Sequence, residues 1–92
     1  MDTQGKIIKK LELQTGVSQA TGKEWKKQDF ILETFGDYPK KICFTAWGTM
    51  VEHLDNRKVG DPVKIVFDIE SREYNERWYT DCKAIRIELI GA

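Results

Sequence analysis

Apolar and polar residues alternate with a period of two along most of this chain, and no other feature limits its fold so strongly. Such alternation places successive side chains on opposite faces of a β-strand. It is cleanest at residues 40–47, where Ile42, Phe44 and Ala46 share one face. The other face of that segment carries Lys41, Cys43, Thr45 and Trp47. Turn residues separate the alternating segments, which indicates an all-β domain.

Five strands are predicted, over residues 7–15, 24–34, 40–47, 63–74 and 77–89. The residues expected to face the core are Ile7, Leu11 and Leu13 in the first strand, Phe30 and Leu32 in the second, and Val63, Ile65, Phe67 and Ile69 in the fourth. Asn75-Glu76 predicts a two-residue hairpin turn between the last two strands. The apolar phase of the fifth strand changes between Ala84 and Ile85, which predicts a β-bulge or a curled strand.

The period changes once, after Gly48, where residues 49–56 predict a short helix. Its predicted apolar side consists of Met50, Val51 and Leu54. Thr49 and Glu52 have the spacing of a capping box, in which each side chain accepts a hydrogen bond from the other residue's backbone N–H.

Three strands, a short helix and a long hairpin follow one another in the order of a five-stranded OB-fold barrel. A β-sandwich needs about seven strands, and this chain has room for five. An SH3-like barrel is the nearest alternative, but it usually lacks a helix between its third and fourth strands. We therefore predict a single OB-fold domain over residues 1–92.

The charges of the chain balance, since fifteen Lys and Arg residues match fifteen Asp and Glu residues. A zero net charge argues against strong non-specific binding to nucleic acid, which depends on neutralising phosphates. The lysines are nevertheless clustered, as Lys6, Lys9 and Lys10 and again as Lys23, Lys26, Lys27, Lys40 and Lys41. No apolar run approaches the roughly 20 residues of a membrane-spanning helix, and the N-terminus has no secretory pattern. We expect a cytoplasmic protein without membrane contact.

Residues that could do chemistry are few. Cys43, Cys82 and the single His53 cannot complete a zinc site, and we expect both thiols to be reduced. Asp68 and Glu70 share a strand face, where a solvated pair is the commoner arrangement. The sequence has no glycine-rich phosphate loop, nucleophile elbow or metal cluster. We expect a protein that is not an enzyme and has no metal or cofactor.

The segment ICFTAWGTMVE (residues 42–52) resembles the bacterial single-stranded-DNA-binding protein family, in which an alternating strand ends in aromatic-Gly before a short helix. Three later segments are similar to that family in the same order: KVGDPV (58–63), IESREY (69–74) and WYTD (78–81). The resemblance covers about residues 40–90. The whole chain, including GKEWKKQ (22–28), is still more similar to a family of short, uncharacterised bacterial domains.

This resemblance implies an OB-fold that binds single-stranded DNA as a dimer or tetramer, with Trp47 and Tyr74 as stacking rings. The first strand is a candidate edge for pairing between subunits. Full-length members of the family carry a flexible tail with an acidic, apolar-ended tip that recruits partner enzymes. The sequence here stops at Ile90-Gly91-Ala92, so we do not expect that recruitment.

A binding face for single strands combines basic residues with aromatic rings on which bases stack. In an OB-fold this face crosses the second and third strands. There, alternation places Trp25, Lys27, Lys41 and Trp47 outward. On the hairpin, a turn at Asn75-Glu76 places Arg72, Tyr74, Arg77 and Tyr79 on one face. A turn slipped by one residue would bring Trp78 to that face instead.

Two functions remain open at this point. The first is binding of single-stranded nucleic acid, with DNA expected rather than RNA, through a basic groove and these eight residues. The second is a protein-interaction module that uses the same aromatic face, since Trp, Tyr and Arg also dominate protein interfaces. The zero net charge favours the second function and the lysine-rich second and third strands favour the first. The rings could equally cap the barrel, fill an interface or stiffen the hairpin.

Overall fold

The computed structural model describes residues 1–90, and Gly91 and Ala92 at the end of the chain lie outside the described residues. The elements within this part are β1 (Asp2–Lys10), β2 (Gln14–Val17), β3 (Glu24–Thr34), β4 (Lys41–Trp47), α1 (Thr49–Asp55), β5 (Pro62–Tyr74) and β6 (Arg77–Leu89). From Glu24 onward, every element begins and ends within one residue of its prediction. No helix in residues 1–90 is long and apolar enough to cross a membrane.

Five strands close into a ring. β1 pairs antiparallel with both β3 and β5, β5 pairs with β6, and β3 pairs with β4. A parallel bridge between Thr45 of β4 and Lys83 of β6 completes the ring. β1 begins at Asp2 rather than at Ile7, because the residues before Ile7 pair with β5. The ring and the helix between β4 and β5 confirm the predicted OB-fold.

The first strand is interrupted, which the sequence analysis did not predict. Lys10 pairs with Phe30 and Gln14 pairs with Lys27, so three residues of the first strand lie opposite two residues of β3. An extra residue of this kind is a β-bulge and shifts the parity of the side chains. An earlier register shift lies between Ile7 and Lys9 of β1. Leu13 lies between the two paired segments, and the prediction that it faces the core is wrong, since its side chain is 47% exposed. β2 continues the strand after the bulge.

The core lies inside the ring. Its buried side chains in residues 1–90 are Ile7, Phe30, Leu32, Phe44, Ala46, Val51, Leu54, Val63, Ile65, Phe67, Ala84 and Ile87. The ring of Phe44 lies 5.7 Å from that of Phe30 and 5.0 Å from that of Phe67, measured between centroids. The parity predicted for the second and third strands is confirmed, because Phe30, Leu32, Phe44 and Ala46 are buried.

Helix α1 closes one end of the barrel, but the predicted capping box is wrong. The N-cap residue is Gly48, whose φ of 57° favours glycine, and no side chain of the described residues caps the helix. Thr49 therefore lies inside the helix, where its hydroxyl cannot take the N-cap position. Glu52 instead accepts a hydrogen bond from Lys26 Nζ at 3.1 Å. The apolar side is confirmed, since it consists of the buried Val51 and Leu54 and the partly buried Met50.

The β5–β6 hairpin extends beyond the barrel, and every residue from 68 to 81 is exposed. Ile69, which was predicted to face the core, is 48% exposed for this reason. Asn75 and Glu76 form the predicted turn with φ values of 52° and 64°, the signs of a type I′ turn. The ladder skips Ile85, which is the predicted bulge.

Candidate nucleic-acid interface

Paired side chains cover the outer face of β3 and β4. Lys27 lies opposite Trp47, and its Nζ is 5.2 Å from the centre of the Trp47 ring, within the range of a cation–π contact. Asp29 lies opposite Thr45, and its Oδ1 accepts a 2.7 Å hydrogen bond from the Thr45 hydroxyl. The ladder between the two strands thus fixes which side chains meet on this face.

Trp25 and Trp47 lie side by side at one end of this face. Their ring centroids are 6.1 Å apart and their planes meet at 51°. The two residues are 38% and 41% exposed, so each presents ring surface to solvent. Gly16 of β2 pairs with Trp25, and a Cβ at Gly16 would lie 2.5 Å from Trp25 Cζ2. Trp25 therefore rests directly on the glycine backbone, which leaves no room for a side chain.

A groove of about 930 Å³ opens beside the two indoles, and we call it the tryptophan groove. Its lining consists of Thr15, Gly16, Val17, Glu24, Trp25, Lys26, Trp47, Gly48, Thr49 and Glu52. The groove therefore lies between β2, the first residues of β3 and the start of α1. Its size falls in the range of roughly 300–1,000 Å³ that is usual for small-molecule sites.

A second groove of about 450 Å³ connects the barrel to the hairpin, and we call it the hairpin groove. It is lined by Lys27, Thr45, Trp47, Asp68, Glu70, Arg72, Asp81 and Lys83. Trp47 lines both grooves. The structure therefore brings Trp25, Lys27, Trp47 and Arg72 from the predicted set into one continuous surface.

The remaining hairpin residues share a face with Arg72. Arg72 lies opposite Tyr79, and Tyr74 lies opposite Arg77 next to the turn. Cross-strand partners point to the same side of a sheet, so these four side chains occupy one face, as predicted for this register. Trp78 pairs with Glu73 on the opposite face, which excludes the slipped register.

Lys41 is the one predicted residue that the structure separates from the others. It pairs with Glu33, at the far end of the β3–β4 ladder from Trp47. The six residue steps from Lys41 to Trp47 correspond to about 20 Å of extended strand.

Neither groove has the excess of basic side chains that the sequence led us to expect. The hairpin groove has three basic and three acidic residues in its lining, and the tryptophan groove has one lysine and two glutamates. The lysine, Lys26, forms an ion pair with Glu52 at 3.1 Å. Arg72 Nη2 lies 3.7 Å from Asp81 Oδ2. These pairs reduce the positive charge that either groove offers to a phosphate.

Cys43 lies on the same outer face, between Lys41 and Thr45. Burial raises the pKa of its thiol, and the neighbouring Asp29 carboxylate and Cys82 raise it further. Cys43 is therefore a protonated thiol at neutral pH. Both cysteines are free, and no group of three His, Cys, Asp or Glu residues within residues 1–90 is arranged to hold a metal ion.

A comparison with known protein families identifies the family of this chain. The family model described as "Domain of unknown function (DUF3127)" matches residues 2–88. The chain belongs to this family. None of the curated proteins matches the chain.

Solved structures share the fold of this DUF3127 domain. The dimeric N-terminal domain of a PriB protein from Thermoanaerobacter tencongensis has a TM-score of 0.68 and 22% identity over all of this chain and 96% of that one. The SSB domain of a Synechococcus protein has a TM-score of 0.66 and 16% identity over 96% and 91% of the two chains. A small single-stranded DNA-binding protein from Streptomyces coelicolor has a TM-score of 0.54 and 13% identity over 98% and 92%. These similarities confirm an OB-fold of the SSB type.

The groove residues that were absent from the set predicted for this DUF3127 domain include Gly16, Glu24, Glu52 and Lys83. Lys83 has the same parity as Tyr79 on the fifth strand, so the hairpin register could have indicated it. Gly16 reaches Trp25 only through the β2–β3 ladder, whose register depends on the unpredicted bulge. Glu24 and Glu52 come from different elements and line the same groove only in the folded chain.

Proposed function

We propose that this domain binds single-stranded nucleic acid, DNA or RNA, and catalyses no reaction on it. The observation that carries the proposal is the pair of half-exposed indoles, Trp25 and Trp47, on the outer face of β3 and β4. This is the face on which OB-folds bind oligonucleotides. An aromatic ring that stacks on a base contributes about 1–3 kcal/mol to binding.

Two kinds of contact with the bound strand are expected: bases stack on aromatic rings, and phosphates pair with basic side chains. Bases would stack on Trp25 and Trp47 and, further along the strand, on Tyr74 and Tyr79, which are 67% and 45% exposed. Phosphates would pair with basic side chains of the same surface, namely Lys27, Arg72, Arg77 and Lys83. Lys41 lies too far from Trp47 to contact the same nucleotides, and we do not include it.

The affinity should be modest. Each phosphate that a cation neutralises adds to the salt dependence of binding, and here acidic residues compete for the same cations, as Asp81 does for Arg72. We therefore expect a shallower decline of affinity with salt than a strongly basic groove would give.

We further propose that the domain assembles into a homo-oligomer, a dimer or a tetramer. The structure of the PriB domain that shares this fold is dimeric. β2 lies at the end of the strand order and pairs with β3 alone among the described strands, so its outer edge offers backbone groups to a second subunit. A mass of one chain in light scattering at about 100 μM would contradict this.

The balanced charges of the hairpin groove favour a second candidate function, binding of a protein partner to the same aromatic face. Affinity for a protein that anchors on Trp47 would change little with salt, whereas affinity for nucleic acid would fall as salt rises.

Fluorescence anisotropy of labelled 25-nucleotide single strands, at low and high salt, tests the proposed function. The test variant is Trp47→Ala/Tyr74→Ala, and Trp78→Ala is the matched control, because Trp78 is 68% exposed on the other face of the hairpin. We expect salt-sensitive binding that the test variant loses and the control keeps. Absence of binding at low salt, or equal losses in both variants, would refute the proposed function.

A further inference from the structure

We propose that the tryptophan groove selects bases that carry an exocyclic amino group, such as cytosine, over uracil and thymine. The inference rests on the proposed function and concerns the same surface, for which it names the preferred base chemistry. It follows from the two kinds of groups that line this groove: indole rings and two carboxylates, which outnumber the single lysine.

The rings provide the stacking surface. Trp25 packs directly against the backbone of Gly16, which limits the movement of its ring towards β2. Trp47 lies beside it at 51°, and the two indoles form adjoining walls of the groove. A volume of about 930 Å³ leaves ample space for a planar base against either wall.

The carboxylates provide the selectivity. Glu24 and Glu52 both line the groove, and a carboxylate only accepts hydrogen bonds. The ion pair with Lys26 engages one oxygen of Glu52, Oε1, whereas a carboxylate has about four acceptor positions. Acceptors of this kind suit the N4 amino group of cytosine. Uracil and thymine have an acceptor, O4, at that position, which a carboxylate repels, and their one donor on this edge is N3–H, whereas the amino group of cytosine has two hydrogens.

The same charges decide how a strand is oriented. Two glutamates against one lysine disfavour a phosphate inside the tryptophan groove, since like charges repel. The hairpin groove, by contrast, offers Lys27, Arg72 and Lys83. Because Trp47 lines both grooves, a base can occupy the first groove while its phosphate lies over the second.

Competition between dC, dU and dT 12-mers at about pH 7.5 tests the inference, because dC and dU differ only at positions 3 and 4 of the base. The readout is the ratio of dC to dU affinity, which a general change in charge does not alter. We expect a ratio of roughly ten in the wild-type protein, the effect of one hydrogen bond to a charged group at the lower end of its usual range.

The test variant is Glu24→Ala/Glu52→Ala, which removes both acceptors and should bring the ratio close to one. The matched control is Glu12→Ala, since Glu12 is exposed and lines neither groove. The inference is refuted if the wild-type protein binds all three strands equally or prefers dU, or if the double variant keeps the ratio; the proposed function then still stands. Absence of binding to all three strands refutes both.

Discussion

A single added methyl group, Gly16→Ala, is expected to weaken binding by displacing Trp25. An ideal Cβ at Gly16 lies 2.5 Å from Cζ2 and 2.7 Å from Cε2 of that ring. Carbon atoms in contact are normally about 3.5–4.0 Å apart, so the indole must move by about 1 Å or more. Of the two paired strands, β2 is the more exposed. Moving the backbone of Gly16 instead of the indole would disrupt the pairing of β2 with β3.

We expect Gly16→Ala to remove a large fraction of the binding free energy that stacking on Trp25 contributes. Stacking contributes about 1–3 kcal/mol per base, and we expect affinity for a single strand to fall about fivefold to tenfold. Global stability should change little, because alanine also restricts the unfolded chain and thereby offsets part of the lost packing, by about 0.4–1 kcal/mol. Anisotropy titration measures the affinity, and urea unfolding measures the stability.

The double variant Gly16→Ala/Trp25→Ala separates the proposed cause from general damage. If Gly16 acts only by positioning Trp25, the methyl group adds nothing once the ring is gone. Gln14→Ala is the matched control, since it alters the same strand outside the lining of the groove. Unchanged affinity in Gly16→Ala, or a further loss in the double variant, would refute the positioning role.

Three further predictions concern the scaffold. Phe44→Ala should lower the free energy of unfolding by about 3–5 kcal/mol in urea titration, because the buried ring contacts two other phenylalanines; a loss below about 1 kcal/mol would contradict this. Glu76→Gly should raise the unfolding free energy by about 1 kcal/mol, since Glu76 has a positive φ, and a lower midpoint of unfolding would argue against it. Cys43 should react with iodoacetamide more slowly than a free thiol at about pH 8, because its raised pKa keeps the thiolate scarce until the pH is higher; mass spectrometry gives the rates, and a faster reaction would exclude that environment.

The alternation of apolar and polar residues was sufficient to predict most of the fold. The alternation at 40–47 placed Phe44 inward and Trp47 outward, and the phase change at Ile85 located a bulge. The interruption between β1 and β2 left no such trace, because Leu11 and Leu13 keep the parity of Ile7 in the sequence although both lie outside the paired residues of the two ladders. Thr49 and Glu52 fit a local motif, but the backbone of Gly48 starts the helix one residue earlier.

The site was predictable only where it follows from strand parity. Trp25, Lys27 and Trp47 were placed correctly together because Trp25 and Lys27 share the parity of β3 and Lys27 pairs with Trp47. The acidic lining was not predictable, since Glu24 lies in β3 and Glu52 in α1. Their approach to one groove depends on the closure of the barrel, which sequence spacing does not specify.

The three tryptophan side chains provide the most direct test of the central claim, that single strands bind beside Trp25 and Trp47. Each indole Nε1–H gives its own signal in a ¹H–¹⁵N correlation spectrum, and Trp78 lies on the opposite face of the hairpin as an internal reference. On addition of a dC 12-mer, we expect the signals of Trp25 and Trp47 to shift with a saturable dependence on concentration and that of Trp78 to stay in place. A spectrum in which none of the three shifts, or in which Trp78 shifts alone, would contradict the claim.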